Sequence, residues 1–381
     1  MRKISEQIEM VDLKNQYLKI KPEIEESISR VISNANFING QEVNEFSENL
    51  SKYLNVNYVI PCANGTDALQ IAFMALGLNP EDEVIVPAFT YVATAEVISL
   101  LKLKPIMVDV SSNDFNISVE NIRNAITKKT KAIVPVHLFG QCVDIEPILK
   151  LARENNIYII EDAAQALGAT YKFSDGMDMF AGTIGDIGCT SFFPTKNLGC
   201  FGDGGAIFTN NMFLAEKIRM IANHGQEKKY VHKYIGVNSR LDTLQAAILN
   251  VKLKYLDEYS LARREAANQY DLQLKDVNEI KLPLRSHFSS HVFHQYTIQV
   301  KNGKRDKLKK YLEAHGIPAM IYYPIPLNQQ EAFISVGNSV GDLGNTKLLC
   351  ETVLSLPMHT ELKIDHITHI ANTIKAFFSN I

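Results

Sequence analysis

Apolar residues recur at helical spacing over two N-terminal stretches, with Ile24, Ile28 and Ile32 inside 19–34 and Val43, Phe46, Leu50 and Leu54 inside 41–54. This predicts two amphipathic helices separated by the break Phe37-Ile38-Asn39-Gly40. From about residue 57 the pattern changes to short, nearly unbroken apolar runs that alternate with longer amphipathic ones. Residues 58–62, 83–86, 105–110, 132–136 and 157–160 read as strands, and 66–76, 94–103, 118–127 and 143–155 as helices. Strands with no polar face must be covered on both sides, so the expected fold class is α/β with a mostly parallel sheet between helices. In such sheets ligands collect beyond the carboxyl ends of the strands. Asn64, Gly65, Thr66, Tyr91, His137, Asp162, Gln165 and Ser191 all fall there. A helix over 241–259 then leads to a smaller unit with a strand-like run at 293–300, a helix near 305–315 and the irregular Tyr322-Tyr323-Pro324-Ile325-Pro326-Leu327. The expected division is a large domain over 1–250 and a small α+β domain over 251–381.

Composition narrows the class. At 381 residues, 46% hydrophobic and 21% charged, the chain can bury a large core and is not of disordered type. A net charge of −3 gives no global attraction for nucleic acid or anionic lipid, so an anionic ligand must be held by local groups. The five cysteines are scattered and form no Cys-x-x-Cys pair, which suits reduced thiols and argues against a disulfide framework or a structural zinc site. The first ten residues are polar and lack an apolar secretion core. No run approaches the roughly 18 apolar residues of a membrane span. The expectation is a soluble cytoplasmic protein with no metal.

The chemistry concentrates at 188–205, where the apolar run 189–193 passes Ser191 and Pro194 to reach Lys196. Gly199, Gly202, Gly204 and Gly205 follow, and then the apolar run 206–209. Pro194 stops regular structure and the glycines permit close backbone approach. A lysine between two buried strands loses hydration, which lowers its pKa and makes it a Schiff-base nucleophile; a lysine at a wet loop tip is the alternative. Upstream, Cys62-Ala63-Asn64-Gly65-Thr66-Asp67-Ala68 turns from a strand into a helix, leaving free N–H groups at a positive dipole end. That suits one phosphate group, although Asn-Gly-Thr is also an ordinary helix cap. Glu161-Asp162 ends a dry strand, where a carboxylate needs a cationic partner. It could face a protonated ring nitrogen, as pyridoxal phosphate requires, or cap a helix. A nicotinamide oxidoreductase would need a Gly-x-Gly-x-x-Gly turn after the first strand, and none is present.

The order of these parts resembles the aspartate-aminotransferase-like fold (fold type I) of pyridoxal phosphate enzymes. Within it the chain is similar to the DegT/DnrJ/EryC1/StrS sugar aminotransferases. The matching motifs run from Val11-Asp12-Leu13-Lys14 through 63–68, Pro87-Ala88-Phe89-Thr90-Tyr91 and 161–165 to the lysine stretch, then on to Gly236-Val237-Asn238-Ser239-Arg240-Leu241-Asp242 and 323–327. The resemblance implies a mostly parallel seven-stranded sheet in the large domain and pyridoxal 5'-phosphate as cofactor, held covalently by Lys196, which then moves the proton. It implies that Asp162 keeps the ring nitrogen protonated, that Gln165 bonds the ring hydroxyl, and that Tyr91 stacks on the ring. Gly65, Thr66 and Ser191 hold the phosphate, with Asn238 supplied by the neighbouring subunit of a homodimer with shared active sites. Tyr91 as a plain helix-start aromatic and Asn238 as a turn residue are the alternatives. Family members that dehydrate sugars carry a histidine at the lysine position, so Lys196 points to an aminotransferase, not a dehydratase. A family-fold regulator without turnover is the third possibility.

The run 192–205 with Asn223-His224-Gly225-Gln226 looks most like the subgroup that aminates C3 of UDP-2-acetamido-2-deoxy-3-keto-glucuronate with glutamate as donor. Its products enter polysaccharides such as lipopolysaccharide O-antigen. Arg240 is then a clamp for the donor's or the uronate's carboxylate, or else a partner of Asp242 in a salt bridge. His224, Lys228, Lys229 and His232 form a basic loop that either meets a diphosphate or is a solvated face. The subgroup carries His-Tyr-Pro-Ile-Pro-Leu where this chain has Tyr322 and Tyr323 before Pro324. That departure brings in a dTDP-linked 3-keto-6-deoxyhexose as the second expected substrate.

Overall fold

A computed structural model describes residues 7–379, so residues 1–6 of the polar N-terminal decapeptide lie outside it. Helix α1 (Leu13–Asn34) starts six residues before the apolar periodicity does, because the Asp12 carboxylate accepts from Asn15 N–H at 2.9 Å and caps it. Helix α2 (Gln41–Leu54) follows the break at 37–40. Then come β1 (Tyr58–Cys62), α3 (Gly65–Leu76), β2 (Glu83–Pro87), α4 (Ala93–Leu100), β3 (Lys104–Val108), α5 (Val119–Ala125), β4 (Thr130–Ile133), α6 (Ile145–Asn155) and β5 (Tyr158–Asp162). A small hairpin of β6 (Thr170–Lys172) and β7 (Asp178–Phe180) precedes β8 (Ile187–Ser191) and β9 (Gly205–Thr209). Next are α7 (Met212–Ala222) and an exposed ribbon of β10 (Gln226–Lys228) and β11 (Val231–His232).

The main sheet has the order β1-β9-β8-β5-β4-β2-β3, the seven strands expected. Its far edge gains an eighth, β14 (Asn338–Ser339), parallel to β3. Only β9 runs antiparallel to its neighbours, β1 and β8. All five residues of β2 and of β9 are buried, as a sheet covered on both faces requires. One apolar layer joins the sheet to α3, α4 and α7, and another joins it to α5 and α6. The carboxyl ends of β1, β2, β5 and β8 therefore open on one side.

The single helix expected over 241–259 is two, α8 (Thr243–Leu253) and α9 (Leu256–Leu274), broken at Lys254-Tyr255. The break has a packing cause. Helix α8 lies on α1 and α2, whereas α9 crosses to the C-terminal core and packs on α12 (Ile364–Ser379). That core also holds a three-stranded antiparallel sheet of β12 (Ile280–Lys281), β13 (Tyr296–Val300) and β15 (Val353–Leu356), together with α10 (Arg305–Ala314). Helix α11 (Gly344–Thr352) precedes β15. Strand β13 starts three residues later than its apolar run, because Phe293 has φ +46°, which no strand residue adopts.

Candidate active site

Strand alternation separates the two acids that end β5. Glu161 is wholly buried and fully satisfied: its carboxylate accepts from the backbone N–H groups of Gly182, Ile184 and Gly185 at 3.0, 2.6 and 2.6 Å. It also meets His137 Nε2 at 2.8 Å. Because His137 Nδ1 accepts from Val143 N–H at 3.1 Å, the ring proton resides on Nε2 and is donated to Glu161. Asp162 faces the other way, toward Lys196. Its Oδ2 accepts from the Thr94 hydroxyl at 2.8 Å and its Oδ1 from Ala164 N–H at 3.1 Å. The two bonds fix the side chain. The helix-cap alternative describes only the Ala164 contact; the Thr94 contact comes from α4.

Lys196 lies on the loop between β8 and β9, with its N–H bonded to Phe193 O at 2.8 Å. The residue as a whole is half-buried, but its amine sits among protein atoms. That desolvation pushes the amine down to about 8, while the Asp162 carboxylate opposes the shift without cancelling it. The neutral nucleophilic form is thus available near neutral pH, and a wet loop tip is excluded.

Around this pair the structure gathers four more of the expected residues. Gln165 Oε1 accepts from Phe139 N–H at 2.8 Å and its Nε2 donates to the Tyr323 hydroxyl at 3.1 Å, which sets the amide orientation and leaves one N–H free. Tyr91, which is 56% exposed, lies 6.3 Å from the Tyr323 ring centre to centre. Tyr322 packs beside Tyr323 at 6.1 Å, and burial raises its hydroxyl pKa. On the opposite side of the cleft, Asn64 caps α3 by accepting from Asp67 N–H at 2.8 Å, leaving the N–H groups of Gly65 and Thr66 at the helix start. A methyl group on Gly65 would stand 2.7 Å from Ser191 Cβ, so only glycine brings the helix end and the Ser191 hydroxyl into one cradle. The cradle, the desolvated amine and the anchored carboxylate fit pyridoxal phosphate.

Asn238, Arg240 and His224 lie elsewhere. Asn238 is exposed and bridges antiparallel to Asn223. Arg240 forms no salt bridge with Asp242 or any other acid among the described residues. It lines an open cavity of about 520 Å³ with Arg219, Glu48, Asn39 and Asn44, apart from Lys196. Ser239 between them accepts from Ala63 N–H at 3.1 Å, which ties this segment to the turn before α3. His224 is exposed at the root of the β10–β11 ribbon, with φ +58° and its carbonyl bonded by His232 Nδ1 at 2.9 Å. Thr94 and Phe139 complete contacts that the sequence did not single out, whereas His137 and Tyr323 were already marked by their places in it.

A model of the DegT/DnrJ/EryC1/StrS aminotransferase family matches residues 18–375. A Pseudomonas aeruginosa protein named UDP-2-acetamido-2-deoxy-3-oxo-D-glucuronate aminotransferase is 47% identical, over 93% of this chain and 96% of its own. A Geobacillus stearothermophilus protein named pleiotropic regulatory protein is 42% identical over 97% and 98%. An Acidithiobacillus ferrooxidans UDP-N-acetyl-3-dehydro-alpha-D-glucosamine 3-aminotransferase is 41% identical over 97% of each chain. The solved structure of DesV from Streptomyces venezuelae, in complex with a ketimine intermediate, superposes with a TM-score of 0.94 at 33% identity over 99% of this chain and 100% of that one. With the lysine, its aspartate and the glycine cradle arranged as described, the chain belongs to the DegT/DnrJ/EryC1/StrS aminotransferase family, whose enzymes work with pyridoxal 5'-phosphate.

Proposed function

We propose that this aminotransferase transfers the amino group of glutamate to the C3 ketone of a nucleotide-linked sugar, UDP-2-acetamido-2-deoxy-3-keto-glucuronate. The observation that carries the reaction class is the desolvated Lys196 amine facing an Asp162 carboxylate held by Thr94. When bound, pyridoxal 5'-phosphate supplies an aldehyde that combines with amines and a ring that withdraws electrons from the neighbouring carbon. Asp162, fixed by its bonds to Thr94 and Ala164, would face the ring nitrogen and hold a proton there. The free N–H of Gln165 would serve the ring oxygen, while Gly65, Thr66 and Ser191 would hold the phosphate. Tyr91 would cover one face of the ring. Lys196, basic enough at about 8 to take a proton and weak enough to return it, moves that proton at the reacting carbon. Asn238 and the Arg240 cavity serve the neighbouring subunit of a homodimer, which is the reason they lie away from Lys196 in their own chain. The setting is cytoplasmic, and the aminated sugar feeds a polysaccharide such as lipopolysaccharide O-antigen.

The names of the two relatives that state a position both put the ketone at C3, which supports C3 here. They differ at C6, a carboxylate in the first and none in the second. Tyr322 stands where the uronate subgroup has histidine, and it favours a second reading, a sugar uncharged at C6 such as a dTDP-linked 3-keto-6-deoxyhexose. Arg240→Ala discriminates between them. Loss of a bidentate carboxylate clamp lowers kcat/KM on the uronate by about 100-fold and on the 6-deoxyhexose by much less. Equal losses on both sugars remove Arg240 from uronate recognition. No bleaching of the cofactor's absorbance with any amino donor would leave a regulator without turnover; the Geobacillus relative is named a regulatory protein.

A further inference from the structure

The loop that carries Lys196 doubles back on itself at Gly199, where a methyl group would stand 2.4 Å from Pro194 O and 2.8 Å from Phe193 O. Cys200 N–H then bonds Phe192 O at 2.8 Å, closing residues 193–199 into a tight loop with the lysine inside it. Two side chains of α8 reach this closure from beneath. Gln245 brackets Phe201, accepting from its N–H at 2.8 Å and donating to its carbonyl at 3.3 Å. Lys252, two helical turns further along the same face, donates from Nζ to Gly199 O at 2.5 Å and lies 5.5 Å from the centre of the Phe201 ring.

Lys252 is expensive as a purely structural residue. It is 2% exposed, has no carboxylate partner among the described residues, and shares its surroundings with Arg263. A buried amine with one backbone acceptor is a poor source of stability, and an apolar side chain of the same length would avoid its desolvation. Its single strong bond goes to the one carbonyl at which the lysine loop turns back.

We propose that Lys252, with Gln245, is a positioning residue that pins residues 199–201 to α8 and so fixes how Lys196 is presented to the strand-end cleft. The assignment rests on Lys196 as the reactive lysine. A bond from a charged donor to one backbone carbonyl is worth about tenfold in local opening. In K252M, amide hydrogen exchange across 194–202 therefore quickens by about tenfold, and kcat falls while the KM for the amino donor stays near the wild-type value. The titration midpoint of the cofactor's absorbance moves, and the melting temperature is held or raised because a desolvated amine has gone. K252R, which keeps a donor, brings exchange and midpoint back toward wild type. Should K252M fail to fold, Q245L carries the same exchange test at 199–201. Unchanged exchange and an unchanged midpoint in the variant that folds overturn the proposal. Borohydride trapping with peptide mapping tests the premise separately: attachment at a lysine other than 196 in the wild-type enzyme ends the reading of Lys196, whereas the exchange result still reports on the clamp.

Discussion

Asp162 and Glu161 share a chemistry and a peptide bond, yet one is spent on the fold and the other is free to act. Sequence position at the end of a dry strand singled out the pair, and a lone lysine among glycines singled out Lys196, because both are anomalies in their local setting. Thr94 left no such mark. It is an ordinary helix-start threonine until folding brings it 2.8 Å from a carboxylate 68 residues away. Thr94→Val removes that bond at nearly constant shape, and kcat is expected to fall by about tenfold with the circular dichroism spectrum unchanged. The buried lysines also have a pH signature. Burial pushes the Lys252 amine down from its ordinary 10.5 to about 8, so between these limits the unfolded chain binds a proton that the native protein has lost. Stability contributed by this position therefore rises with pH across that window. Measured by urea unfolding of the apoprotein, the wild-type minus K252M difference in unfolding free energy increases from pH 8 to 10.5.

At the scale of elements, period alone located most of the sheet, because strands covered on both faces carry no polar residue to confuse with a helix. It failed where two cores meet. The apolar pattern over 241–259 runs through Lys254-Tyr255 without interruption, but its first half faces α1 and α2 and its second half α12, and only the three-dimensional packing reveals the turn. The spacing Ile367, Ile370, Ile374 and Phe377 made α12 legible in principle; its place against α9 was not. The start of α3 was legible as an anion site, and its tightness was not. Gly65→Ala would put a methyl group 2.7 Å from Ser191 Cβ and force the helix end from the hydroxyl. Affinity for pyridoxal 5'-phosphate, read by absorbance titration of the apoprotein, is expected to drop by about 10- to 100-fold, and the melting temperature to fall by a few degrees from the overpacking.

Over the whole molecule, the cleft with Lys196 and the cavity with Arg240 occupy separate places on one chain, joined through the Ser239 bond to Ala63. If the second serves the partner's first, then two defective chains can repair each other. A mixture of Lys196→Ala and Asn238→Ala protomers, each nearly inactive alone, regains about a quarter of wild-type activity after unfolding and reassembly, since half of the mixed dimers' sites draw an intact residue from each chain. Recovery of nothing beyond the sum of the two parents would show that Asn238 acts within its own subunit. Among the described residues no helix is long and apolar enough to cross a membrane. Family membership and fold were readable because the motifs extend over most of the chain. The substrate's C6 group was not, because Arg240 in its cavity and Tyr322 beside Tyr323 are set in different parts of the chain, and their sequence order does not tell which of them would meet that group.

The alternation along β5 has an evolutionary corollary. A strand turns its side chains over at every step, so the two acids at its end are told apart only by parity. Losing or gaining one codon between 158 and 162 would turn Glu161 to the Lys196 side and Asp162 toward the amides of 182–185, whereas the exposed bend at 174–177 can lengthen with no such exchange. In a library of single-codon insertions and deletions, survivors should cluster in that bend and be absent from the five codons of the strand.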